Sequence, residues 1–128
     1  MKPSTSEWVD KAEEDYRVMT AIAGLNPPAH DAVCFHAQQA AEKYLKAVLA
    51  ERVIAFPKVH DLTRLLDLID PAINELSAMR ADLDALSRLS VQVRYPEFST
   101  DSAKAEEAGR IAAAVRRICR RELGLEEG

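Results

Sequence analysis

Residues 31–52 read DAVCFHAQQAAEKYLKAVLAER, and their apolar positions recur at helical spacing. At about 100° per residue, Val33, Cys34, Ala37, Ala41, Tyr44, Leu45 and Val48 cover one broad side, while His36, Gln39, Lys43 and Lys46 gather on the other. The spacing predicts a helix from Asp31 to Arg52. Its many alanines carry little bulk, so a neighbouring helix can approach closely.

The punctuation on both sides is also helical. Upstream, Ser4-Thr5-Ser6-Glu7 reads as a capping box, the Ser4 hydroxyl accepting from the Glu7 amide while the Glu7 carboxylate reaches back. Trp8, Ala12, Met19, Ile22 and Ala23 then share one face, and Gly24 with Asn26-Pro27-Pro28 stops that helix. Downstream, Phe56-Pro57 falls in a connecting loop, and Asp61 caps a short third helix carrying Leu62, Leu65, Leu66 and Ile69, ended by Pro71. Leu76, Met79, Leu83, Leu86 and Val93 predict one continuous fourth helix that closes at Arg94-Tyr95-Pro96. A polar loop through Ser99, Thr100 and Asp101 starts a last helix whose inner face is Ile111, Val115, Ile118 and Cys119. Aromatic residues make up only 5%, and no Asn-Gly or Asp-Gly hairpin signal occurs. The fold class expected is all-α, an antiparallel up-and-down bundle of four to five helices.

The chain has 128 residues, which suits one domain spanning positions 1–128. A hydrophobic share of 48% and a charged share of 30% exclude a disordered chain. With 17 Lys and Arg against 21 Asp and Glu, the formal charge is −4, so any nucleic-acid contact must come from a local basic patch. Cys34 and Cys119 stand far apart without CxxC spacing and read as buried small hydrophobes. No signal peptide and no run of about 18 apolar residues is found, so a soluble cytoplasmic protein is expected. The sequence offers no glycine-rich phosphate loop, no HExxH, no paired Cys/His spacing and no GxSxG. No metal and no cofactor are therefore expected.

Four features break the amphipathic pattern. Asp15 sits inside the apolar arc of the first helix, where an unpaired carboxylate is costly; either its edge is solvated or a nearby cation satisfies it, or it orients a functional Arg or His, with His60 and Arg94 as the candidates. Gln38 falls between Cys34, Leu45 and Leu49, so its amide needs a backbone partner in the same chain or a partner across a subunit interface. His36, Gln39, Lys43 and Lys46 form a polar row that reads as a solvated face or as a track for a phosphate or acidic partner. Arg110, Arg116, Arg117, Arg120 and Arg121 load the last helix, with Arg110, Arg117 and Arg121 on one face. They either complement the helix dipole, with Glu106 pairing to Arg110, or meet phosphate through the planar guanidinium fork.

The string from Phe35 to Ala47 closely resembles the signature helix of HEPN domains. The landmarks continue in the same order: Trp8 and Asp15 in the first helix, His60-Asp61-Leu62 at the start of the third, and Arg94-Tyr95-Pro96 at the end of the fourth. The resemblance covers roughly positions 6 to 123 and points to the subfamily found beside minimal nucleotidyltransferases. It implies a helical bundle that typically dimerises, a nucleotidyltransferase partner, and a toxin–antitoxin type of module. Many members are metal-independent ribonucleases whose Arg is followed by a His after four to six intervening residues. Here no histidine follows Arg94, and Arg52 precedes His60 with seven intervening residues, so that activity is not carried over.

What the resemblance carries onto this chain is a ligand-binding set of Lys43, Lys46, His60, Arg94 and Tyr95 lining a shared groove for a nucleotide, an RNA segment or the partner enzyme, with Asp15 as an orienting residue; the alternative is that Arg94 and His60 are structural, pairing with Asp15 and the helix ends. The expected function is a nucleotide- or RNA-binding component acting with a minimal nucleotidyltransferase. A rival reading is a ribonuclease toxin with a non-standard site, Arg94 clamping phosphate and His60 serving as acid and base. Another is a structural adaptor whose arginine-rich helix docks an acidic protein.

Overall fold

The computed structural model describes residues 1–127. Among them there are six helices and no strand: α1 (Pro3–Ile22), α2 (His30–Glu51), α3 (Leu62–Leu68), α4 (Asn74–Ser77), α5 (Arg80–Gln92) and α6 (Ser102–Glu122). The four longer helices alternate in direction along the chain. Thr5 Oγ1 donates to Glu51 Oε1 at 2.9 Å, so the start of α1 meets the end of α2. The Thr100 amide donates to Asp31 at 2.8 Å and Arg52 pairs with Glu122 at 3.6 Å, so α2 and α6 run the same way. Arg110 reaches Asp82 at 3.4 Å and Arg121 pairs with Glu75, setting the stretch through α4 and α5 against α6. The short α3 and α4 lie in the connection between α2 and α5. No helix is long and apolar enough to cross a membrane among the described residues.

α2 is the axis of this arrangement. Ala37, Ala40, Ala41, Tyr44, Leu45, Ala47 and Leu49 are all completely buried, and α1 and α6 pack closely against the alanines. The inner faces of α3 (Leu62, Leu65, Leu66) and α6 (Ile111, Val115, Ile118, Cys119) lie where the periodicity sets them. Two capping expectations hold: Asp61 accepts from the Thr63 amide at 3.0 Å, and Asp101 accepts from the Lys104 amide at 2.8 Å.

Two expectations need correction. Ser4 does not cap α1. Pro3 occupies the first turn, where its fixed φ suits a helix and its missing N–H costs nothing, so the helix begins before Ser4. The backbone N–H of Lys2 instead donates to Glu51 at 3.0 Å, and Thr5 is buried. The fourth helix is not continuous. The Met79 amide turns to the Leu76 carbonyl at 3.0 Å, a three-residue step that tightens the chain and separates α4 from α5.

Charged residues also fasten the bundle. Glu13 of α1 accepts from Arg116 Nε at 2.9 Å, from Arg120 at 2.7 Å and from the Tyr44 hydroxyl, joining α1, α2 and α6 at one carboxylate. Burial, followed by the hydrogen bond to Glu13, pushes the Tyr44 hydroxyl well above the ordinary phenol range. Replacing Glu13 by Ala leaves this group of partly buried cations without its anion. A loss of about 2 kcal/mol in urea unfolding is expected, at the low side for a broken buried pair because some exposure remains.

Both α2 and α6 end with the same backbone motif but different residues. After α6, Gly124 adopts φ 73° while the Leu125 amide returns to the Arg120 carbonyl at 2.8 Å. After α2, Val53 adopts φ 57° while the Ile54 amide returns to Leu49 at 2.9 Å. Val53 is 76% exposed, so its β-branched side chain gains little packing to offset the left-handed backbone. Val53→Gly is expected to raise stability by about 1 kcal/mol, measured by the same urea unfolding.

Candidate functional site

From Val53 onward the chain turns back along α2. Phe56 meets Trp8 of α1 edge-on, ring centroids 6.0 Å apart, and the Lys46 ammonium lies 5.3 Å from the Trp8 ring and 5.9 Å from the Phe56 ring. Lys46 is thus drawn inward under two aromatic faces. Its Nζ donates to Glu42 Oε2 at 2.9 Å, one turn back on α2. Both side chains are buried, Glu42 to 3% exposure and Lys46 to 7%.

A buried ion pair needs further hydrogen bonds to offset its lost hydration. The returning loop supplies them. His60 Nδ1 lies 3.0 Å from Glu42 Oε1, and Gln38 Nε2 donates to the His60 carbonyl at 2.8 Å and to Glu42 at 3.4 Å. Gln38 therefore finds its backbone partner in the same chain. His60 itself is 71% exposed, so one edge of its ring is anchored to a buried carboxylate and the other faces outward.

His60 lines an open cleft of about 270 Å³ between α2, the residue 60–61 turn and α5. Gln38 and Gln39 of α2, Ser87 and Arg88 of α5, and Arg94 after it also line the cleft, and the Ser87 hydroxyl donates to Gln38 Oε1 at 3.5 Å. The Arg94 guanidinium stands 5.5 Å from the Phe35 ring. Arg88 pairs with Asp84 at 2.6 Å on the rim. Of the five residues assigned to a common groove, His60 and Arg94 line this cleft. Lys46 lies beneath it, one residue removed through Glu42. Lys43 is tied to Asp15, and Tyr95 is exposed outside the lining.

Asp15 is satisfied by nearby groups, and it does not orient the candidates His60 and Arg94. It accepts from Lys43 Nζ at 2.5 Å and meets His36 Nδ1 at 2.9 Å, both on α2. Neither His60 nor Arg94 pairs with it, because the returning loop commits His60 to Glu42 and the end of α5 commits Arg94 to Phe35. The polar row on α2 is consequently not a line of free cations. His36 and Lys43 share one carboxylate, and Lys46 points inward to another.

The arginines of α6 are similarly engaged. Arg110 pairs with Glu107 at 2.5 Å, the acidic residue three positions back rather than Glu106. Arg116 and Arg120 meet Glu13, and Arg121 meets Glu75. Glu42 and Arg88 are the site residues that sequence reasoning missed. A signal for Glu42 was present: it stands one turn from Gln38 and one turn from Lys46, which puts it on the buried side of the row.

A family model described as HEPN domain matches residues 5–123. The chain belongs to the HEPN domain family. That membership points to a nucleotide- or RNA-related role. No curated protein and no solved structure matches the chain. In this HEPN domain the histidine and arginine that share a cleft are far apart in sequence and on different elements. Among the described residues, no group of three or more His, Cys, Asp or Glu is placed to hold a metal ion.

The two thiols lie away from the cleft. Cys34 and Cys119 are free and buried, and burial raises both thiols above their usual range. A raised value means less thiolate at a given pH, so neither should react with an aromatic disulfide reagent at about pH 8, where an exposed thiol reacts readily. Both should titrate once the protein is unfolded in guanidinium; prompt reaction of the native protein would contradict their placement.

Proposed function

We propose that this HEPN domain binds a phosphate-bearing ligand, a nucleotide or a short RNA segment, in the cleft bounded by Gln39, His60, Arg88 and Arg94. The observation that carries this reading is the convergence of His60 and Arg94 on one open cleft. Arg94 offers a planar fork suited to phosphate oxygens, and the Phe35 ring lies 5.5 Å from it. Arg88 adds a second cation at the rim, and Gln39 adds a neutral donor. We further propose that the protein acts as a homodimer in a toxin–antitoxin type of module with a minimal nucleotidyltransferase partner. The resemblance of residues 35–47 and of the landmarks around it supports that part.

One observation favours a second reading, a metal-independent ribonuclease with a non-standard site. An imidazole held by a buried carboxylate beside an arginine is an arrangement able to move a proton near a phosphate ester. The adaptor reading is less well supported, since most arginines of α6 are already paired with carboxylates of the same chain.

The test is titration with ATP and with a short RNA at two salt concentrations. Arg94→Ala is expected to weaken binding about tenfold and to lower the slope of log affinity against log salt by about one. Arg94 is exposed at the end of α5, so the variant should keep its helical spectrum. Unchanged affinity and slope would overturn the assignment of the cleft.

A further inference from the structure

We infer that Glu42, held by Lys46, is a positioning residue that fixes the protonation pattern of His60 and thereby makes the cleft prefer ribose over deoxyribose. This rests on the binding reading above. An ionised carboxylate only accepts hydrogen bonds, and Glu42 already receives the Lys46 ammonium at 2.9 Å. The neighbouring His60 Nδ1, 3.0 Å away, must therefore carry the hydrogen. In the neutral ring this leaves Nε2 as a bare acceptor on the edge turned away from Glu42, on a side chain that is 71% exposed and belongs to the residues lining the cleft.

The other charged groups at the cleft do not duplicate that acceptor. Arg88 and Arg94 only donate, which suits phosphate oxygens. Asp61 is turned to its own helix start, accepting from the Thr63 amide at 3.0 Å and the Thr63 hydroxyl at 2.8 Å. Asp84 is paired with Arg88 at 2.6 Å. His60 Nε2 has no protein partner among the described residues. A ligand that brings both phosphate and an adjacent hydroxyl matches donors and acceptor together. A ribose 2′-hydroxyl can donate to Nε2, and a deoxyribose cannot.

Glu42→Gln reverses the pattern without changing size. The glutamine carbonyl stays with the Lys46 ammonium, and its NH₂ faces His60 Nδ1, which must then accept, moving the ring hydrogen to Nε2. Long-range proton–nitrogen spectra of the imidazole, recorded without ligand where the ring is neutral, should show Nδ1–H in the native protein and Nε2–H in Glu42→Gln. An Nε2–H ring in the native protein would overturn the inference whatever the binding results.

The binding arm uses an RNA and a DNA oligonucleotide of the same short sequence, followed by fluorescence anisotropy. The native protein should favour RNA by about tenfold, the value of one hydrogen bond at the upper end of its range. Glu42→Gln should bring RNA affinity down to that for DNA. His60→Ala, at an exposed position that leaves the buried pair in place, should do the same and serves if Glu42→Gln does not fold. Equal affinity of the native protein for both strands, or a preference that survives His60→Ala, overturns ribose selection while the cleft keeps its assignment. Absence of binding to either strand overturns the cleft assignment as well.

Discussion

The buried pair between Lys46 and Glu42 sets the terms for everything around it. Two opposite charges have been taken almost entirely out of water in the middle of the central helix. Their mutual attraction does not by itself offset the hydration they lose, so each must find additional polar or aromatic company. Trp8 and Phe56 cover the ammonium, and Gln38 with His60 completes the carboxylate. These four come from α1, α2 and the loop after α2. The requirement therefore decides where the loop lies as well as how α2 is oriented. The cleft inherits its histidine from that requirement.

The same pattern occurs a second time on α2. Asp15 sits between Lys43 and His36 much as Glu42 sits between Lys46 and His60. In each case a carboxylate collects one ammonium and one imidazole Nδ1. The difference is the origin of the carboxylate. Asp15 comes from α1 and ties two helices together, whereas Glu42 belongs to α2 and ties down a loop. Only the second arrangement delivers its imidazole to an open cavity. Glu13, with Arg116, Arg120 and the Tyr44 hydroxyl, repeats the theme on the opposite side of α1. A helix as fully enclosed as α2 leaves no room for an uncompensated charge.

Most of the fold was legible because its signals are local. Apolar spacing defines α2 and the inner face of α6, and the caps Asp61 and Asp101 act on amides two or three residues away. The start of α1 was misread because two local signals compete there. The Ser4 box and the Pro3 first turn both suit a helix start, and the proline, already in a helical φ, takes the earlier position. The break before α5 was missed because Leu76, Met79 and Leu83 keep helical spacing across it. The site was less legible for a different reason. Spacing along one helix shows that Asp15 and Gln38 need partners, but it does not show which segment returns to supply them. Gln38 had few options and its partner type was foreseen, whereas Asp15 had several cations within range of the fold. Lys46 read as a solvent-facing cation because nothing local announces that Trp8 and Phe56 close over it.

The two walls of the cleft are held in different ways. α2 is packed on nearly all sides, but α5 faces α6 across an apolar groove of about 590 Å³ bordered by Leu86, Leu89, Ala108 and Ile111. That groove is open to solvent, and α5 is held to the bundle by its inner face, where Leu83 and Leu86 are buried. Arg88 and Ser87 ride on α5, and Arg94 follows directly from its end, while His60 is anchored to α2. Both walls of the cleft are thus seated on the core, His60 through Glu42 of α2 and the α5 residues through Leu83 and Leu86, which are buried. A change in the packing of this one short helix would therefore be felt at the opening, because the same thirteen residues carry both core leucines and side chains that border the cleft.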